Sequence, residues 1–164
     1  MNKLYLWIIS VLKFLVIFLS SAIVIVVTIQ VFSRFVLQSP SSITEELSRF
    51  LLIWIGLLGG AYGYHSNAHL GLDIATNKLN QLSRYWVGIV SHLIIMTFAI
   101  AVMVVGGVSL VLLTFDPPQI SAALEIKMGY IYSVVPISGA IIVYIALMKI
   151  SGLLSQILNI KKGA

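Results

Sequence analysis

The chain has 164 residues, of which 60% are apolar and 9% charged, where a soluble domain carries about 25% charged residues. So few charges cannot cover the surface of a soluble domain of this size, which excludes a soluble enzyme and points to the bilayer as solvent. Cysteine is absent, which excludes disulfides, thiolate catalysis and cysteine-bound metal, and the net charge of +5 sits between apolar runs, where it orients a membrane protein rather than binding nucleic acid.

At about 20 residues per crossing, the length accommodates four spans with short connections and no large extramembrane domain. The first lies over residues 14–36: Lys13 and Arg34 bracket twenty uncharged residues, roughly 30 Å of helix. That is longer than a signal-peptide core, and no small-residue cleavage site follows, so this segment is expected to be retained. The second span is placed at 44–66, after the polar stretch Gln38 to Ser42. Ser42 and Glu45 have the spacing of a capping box, and Glu45 and Glu46 suit the positive end of the helix dipole. Its apolar run, Phe50 to Tyr64, is only fifteen residues, roughly 22 Å. Such a short span draws on its flanks, thins the bilayer or leans on another protein.

The third span, 85–115, contains no Asp, Glu, Lys or Arg in thirty-one residues and is long enough to tilt or project from the bilayer. Asp116-Pro117-Pro118 ends it. The fourth, 128–149, contains Pro136, which is expected to kink it. The fold class is therefore an all-α integral membrane protein of four spans in a single domain. Between spans 2 and 3, Leu72, Ala75, Leu79, Leu82 and Trp86 recur at helical spacing and predict a short interfacial helix. Four spans place both termini on one side. That side carries Lys3, Lys13, Lys78, Arg84, Lys149, Lys161 and Lys162, against Arg34, Arg49 and Lys127 on the other. The positive-inside rule then puts both termini in the cytoplasm.

None of the four apolar runs contains Asp, Glu, Lys or Arg. Ion-coupled carriers usually keep an ionisable group in the membrane despite a cost of at least ~2.5–3.5 kcal/mol, so autonomous transport is not expected. Three histidines remain. His65 and His69 could share a helical face, His65 and His92 fall at the same end, and such residues could ligate a haem. The alternative is that they are interfacial side chains with an apolar body and a wet tip, and this reading is preferred. Glu45, Glu46 and Arg49 form the densest charge cluster, at i, i+3 and i, i+4 spacings, and are read as helix-end stabilisation or as a docking site. Gly56, Gly60 and Gly63, with Gly59 and Ala61 beside them, make a small-residue face of the kind that brings helix backbones together. Packing within the chain is favoured over a homodimer seam.

Two stretches resemble the small membrane subunit of tripartite ATP-independent periplasmic (TRAP) transporters, the DctQ-like family. The first runs from Arg34 through Glu45-Glu46-Leu47-Ser48-Arg49-Phe50, Trp54, Gly56 and Leu58-Gly59-Gly60-Ala61 to His69. The second runs from Ser121-Ala122-Ala123-Leu124-Glu125-Ile126 through Gly129-Tyr130-Ile131-Tyr132 to Pro136-Ile137-Ser138-Gly139. The resemblance implies a non-catalytic subunit of the bacterial inner membrane that scaffolds a large transport subunit. A periplasmic binding protein delivers an organic acid, of the sialic acid or C4-dicarboxylate type, and sodium coupling belongs to the large partner. No cofactor or metal is expected in this chain. Interface candidates are Glu45, Glu46, Arg49, Trp54, Gly56, Gly60 and Gly63, with membrane lipids as further neighbours. The rival reading is a haem-carrying anchor of a membrane oxidoreductase, ligated by His65 or His69 with His92.

Overall fold

A computed structural model describes residues 3–66 and 80–162. The first helix, α1 (Lys3–Phe35), has 33 residues and so spans roughly 50 Å, more than the hydrocarbon core of a bilayer. It begins well before residue 14 because nothing in Lys3–Lys13 breaks a helix. In lipid every polar group needs a partner, and the hydroxyls of Ser10, Ser21 and Thr28 return to the carbonyls of Leu6, Ile17 and Val24, one turn back. The most apolar stretch of α1 contains no buried residue.

A turn with Gln38 in the left-handed region (φ 52°) leads into α2 (Ser42–His65). Its N-cap is Ser41, whose Oγ accepts from the Thr44 N–H at 3.5 Å, rather than Ser42. The expected Ser42–Glu45 capping box does not form: the residue three after Ser41 is Thr44, and the Glu45 carboxylate turns to Arg49. At 24 residues the helix is about 36 Å long, because its polar first turns continue the apolar run.

The third span is built from α3 (Gln81–Phe98), a π-helical segment (Ala99–Gly106) and α4 (Gly107–Phe115). The wider turn lies at a tight contact with the fourth span. A Cβ on Gly139 would lie 2.7 Å from the Met103 Cβ, and one on Gly107 would lie 2.9 Å from the Pro136 Cδ. Only glycine fits at either contact.

The fourth span opens with α5 (Met128–Tyr132), breaks at Ser133 and continues as α6 (Val134–Lys162). The expected distortion at Pro136 is there, but it falls in the turn before the proline. The ring has no N–H for the Tyr132 carbonyl and crowds that turn.

Among the described residues, four helices are long and apolar enough to cross a membrane. α1 packs on α2, α2 on α6, and α6 on the third span, so the fourth span lies between the second and the third. Two small cores hold this arrangement. Tyr5, Tyr64, Ile145 and Ala146 form one; Leu12, Leu58, Ala61 and Val134 form the other. Elsewhere the surface is apolar, with Phe14, Val24, Ile94 and Leu112 each more than 60% exposed. A chain in water would bury such side chains; one in lipid has no need to. Of the interfacial helix expected between spans 2 and 3, Leu72, Ala75 and Leu79 lie outside the described residues, as does His69, whereas Leu82 and Trp86 belong to α3, which begins after Asn80.

Candidate functional site

The polar contacts gather at the two ends of the bundle. At the end formed by the two short connections, the cluster that the sequence groups as Glu45, Glu46 and Arg49 divides. Glu45 and Arg49 pair at 2.8 Å on the exposed side of α2, with the arginine side chain 68% exposed. Glu46 points the other way, into the connection between the third and fourth spans. Its Oε1 accepts the Ala122 N–H at 3.2 Å, and its Oε2 accepts those of Ala123 and Leu124 at 2.9 and 2.8 Å. Three consecutive backbone donors thus converge on one carboxylate, an arrangement suited to negative charge.

That connection is itself a compact turn. The Ser121 N–H donates to the Ile126 carbonyl at 2.9 Å and the Met128 N–H to the Gln119 carbonyl at 2.8 Å. Ser121 Oγ accepts the Ile126 N–H, and Glu125 takes the left-handed conformation (φ 54°) that closes the turn. Two turns along α2, the Trp54 Nε1–H donates to the Ile131 carbonyl at 3.1 Å, beside the break at Ser133. Ser48 Oγ donates to Gln30 Oε1 at 3.2 Å and ties in α1. α2 is thereby joined to α1 and to the start of the fourth span by side-chain hydrogen bonds that bridge long stretches of sequence.

Among the described residues, nothing packs closely on the glycines of this face. A Cβ built on Gly56, Gly59, Gly60 or Gly63 meets nothing within 4 Å, and Gly56 and Gly60 are exposed. This corrects the expectation of an internal close contact. α2 uses a different stripe, Phe50, Leu58, Ala61 and Tyr64, to fill the space against its neighbours. Once those larger side chains face inward, helical geometry turns the glycines outward.

At the opposite end, all four spans contribute to a second polar cluster. The Tyr5 hydroxyl lies 2.8 Å from His65 Nδ1, and the Tyr64 hydroxyl 2.9 Å from His92 Nδ1. Lys149 Nζ donates to the Tyr64 carbonyl at 2.6 Å and sits 4.7 Å from the centre of the Tyr64 ring. His65 and His92 do fall at the same end, but each Nδ1 is met by a different tyrosine. Among the described residues, no three His, Cys, Asp or Glu side chains group to hold a metal ion. The tyrosine partners escape sequence reasoning because residues 60 and 28 positions apart carry no periodic signal. The role of Glu46 escapes it because its partners are backbone groups, which have no letter in a sequence.

Four apolar spans with polar ties at both ends define a multi-pass helical membrane protein. Residues 23–156 match the family of tripartite ATP-independent periplasmic transporters, DctQ component, and the chain belongs to that family. It is similar to the sialic acid TRAP transporter small permease protein SiaQ of Vibrio cholerae, with 26% identity over 89% of this chain and 83% of that protein. It is also similar to the C4-dicarboxylate TRAP transporter small permease protein DctQ of Rhodobacter capsulatus, with 25% identity over 61% of this chain and 44% of that protein. The chain is accordingly a multi-pass protein of the bacterial inner membrane. The two stretches of family resemblance are the two that meet through Glu46 and Trp54.

Proposed function

We propose that this chain is the non-catalytic small membrane subunit of a sodium-coupled, binding-protein-dependent TRAP transporter for an organic acid of the sialic acid or C4-dicarboxylate class. Its role is to flank and steady a large membrane subunit, which carries substrate and sodium; a periplasmic binding protein delivers the acid. Both termini lie in the cytoplasm, and the Glu46 end of the bundle faces outward. The observation that carries the reading is the uncovered face of α2. Gly56, Gly60 and Gly63 leave its backbone open to close approach over about two turns, and nothing in the described chain fills that space. In lipid, helices associate through such faces by packing and close backbone contact, since there is no hydrophobic drive between them. The missing intramembrane charge fits a subunit that assists transport rather than one that couples it.

The test is expression with and without a TRAP large membrane subunit from the same organism. The two should purify in equal stoichiometry, and reconstituted uptake should need both together with the binding protein. Full-rate uptake by the large subunit alone would overturn the proposal.

A further inference from the structure

We propose that residues 107–132 form one rigid hairpin, jointed to the rest of the bundle at the level of Gly107 and Pro136, and that Glu46 and Trp54 of α2 latch it in place. The device belongs to the chain itself, whichever way the chain lies in the membrane.

The hairpin is α4, the 116–127 connection and α5. It is held together from within. The Gln119 N–H donates to the Thr114 carbonyl at 3.0 Å, and the Met128 N–H to the Gln119 carbonyl at 2.8 Å. The buried Ser121 accepts the Ile126 N–H through its hydroxyl. The Phe115 and Tyr130 rings meet edge to face with centroids 5.2 Å apart, and the Phe115 ring occupies the space that a Cβ on Gly129 would need. Outside its own span, α4 packs chiefly on α5, whereas α6 packs on α3 and the π-helical segment. The short pair and the long pair are thus two packed bodies.

Both legs of the hairpin pass through an irregularity where they join the long pair. In the third span it is the π-helical segment, at whose borders the N–H groups of Ala99 and Gly107 are each shared between two carbonyls. In the fourth it is the break at Ser133, with Pro136 one turn on. The two face each other: a Cβ on Gly107 would lie 2.9 Å from the Pro136 Cδ and 3.0 Å from the Val135 Cγ1. A single irregularity bends one helix against a straight neighbour, which resists. Two at one level let the pair bend together, a few terminal residues taking up the change. α4 has nine residues, roughly 14 Å, so a bend of about 20° carries its far end about 5 Å.

Two side chains of α2 reach across the joint. Glu46 accepts three N–H groups of the connection, and Trp54 donates to the Ile131 carbonyl in α5. They grip the hairpin at its tip and near its base, which opposes rotation about the joint. Glutamine has a single acceptor oxygen, and its NH₂ would face the donors that oxygen does not serve. Glu46→Gln therefore opens the grip at the tip and keeps the shape of the side chain.

The chain lacks cysteine, so paired spin labels can be introduced cleanly. The full chain in lipid nanodiscs carries one pair at Glu125→Cys and Phe14→Cys, across the joint, and a control pair at Phe14→Cys and Ile94→Cys, away from it; all three positions are exposed. In Glu46→Gln the distribution of distances across the joint should widen by about 5 Å, with the control pair unchanged. Deuterium exchange at the Gln119 and Met128 amides, inside the hairpin, should stay at the wild-type rate. Trp54→Phe should widen the distribution less, and it decides the matter should Glu46→Gln not fold. Adding Pro136→Ala gives the Tyr132 carbonyl a donor and straightens the fourth span, so it should restore the wild-type width. Wild-type width in both latch variants would overturn the latch. Faster exchange at Gln119 and Met128 would mean that the hairpin frays instead of turning as one body. Widening that survives Pro136→Ala would remove the joint from the level of Gly107 and Pro136.

Discussion

Glu45 and Glu46 are adjacent in sequence and do different work. On a helix, neighbours are separated by about 100°, so one carboxylate reaches the exposed flank and the other reaches the turn. Glu45 finds Arg49 in an exposed i, i+4 pair, a contact worth a few tenths of a kcal/mol at most. Trp54 is the contrasting case. Its indole N–H bridges to a carbonyl 77 residues away. Trp54→Phe should lower the stability of the isolated chain by ~0.5–1.5 kcal/mol, whereas Arg49→Ala should lower it by ~0.3–0.5 kcal/mol or less. Reversible unfolding in mixed micelles measures both, and an equal effect would mean that Trp54 contributes through contact area alone. The sequence shows the residue types at these positions but not their partners.

The glycines separate into two groups once the helices are placed. Gly139 and Gly107 lie where the fourth span meets the π-helical segment, and a methyl group there has no room. Gly56 and Gly60 lie on the open face of α2, where it has all the room it needs. The same substitution type should therefore act on different states. Gly139→Ala should destabilise the chain by itself by ~1–3 kcal/mol through overpacking. Gly60→Leu should leave the thermal stability of the isolated chain unchanged and weaken its complex with the large subunit by a similar amount. Comparing melting of the chain alone with recovery of the complex tests both. A Gly60→Leu chain that assembles at wild-type strength would turn that face toward lipid. Periodicity identified the glycine stripe of α2, but not the direction it faces, because two stripes on one helix compete for the core and the larger side chains win it.

At the scale of the whole molecule, the described residues form four long helices with small cores and a large apolar surface. The orientation we propose rests on the charge balance: seven basic residues on the side of the termini and three on the other. The absence of cysteine makes this simple to check. A membrane-impermeant maleimide should label Glu125→Cys in intact spheroplasts and Ala164→Cys only after lysis. The reverse pattern would invert the topology and place the Glu46 end in the cytoplasm.

Span number and the family are legible in the sequence, because a bilayer imposes one hydropathy and one length on every crossing. The helix ends are less so: α1 starts at Lys3 rather than near residue 14, and α6 runs to Lys162 rather than stopping near 149, because nothing at those positions breaks a helix. The break near Pro136 is legible too, because proline acts on its own turn. Tertiary structure alone decides that the fourth span lies between the second and third, that the glycines of α2 face outward, and that Glu46 closes on the 119–128 turn. Those features depend on which helix faces meet and on hydrogen bonds to backbone groups. Neither leaves a period or a residue type in the sequence by which it could be read.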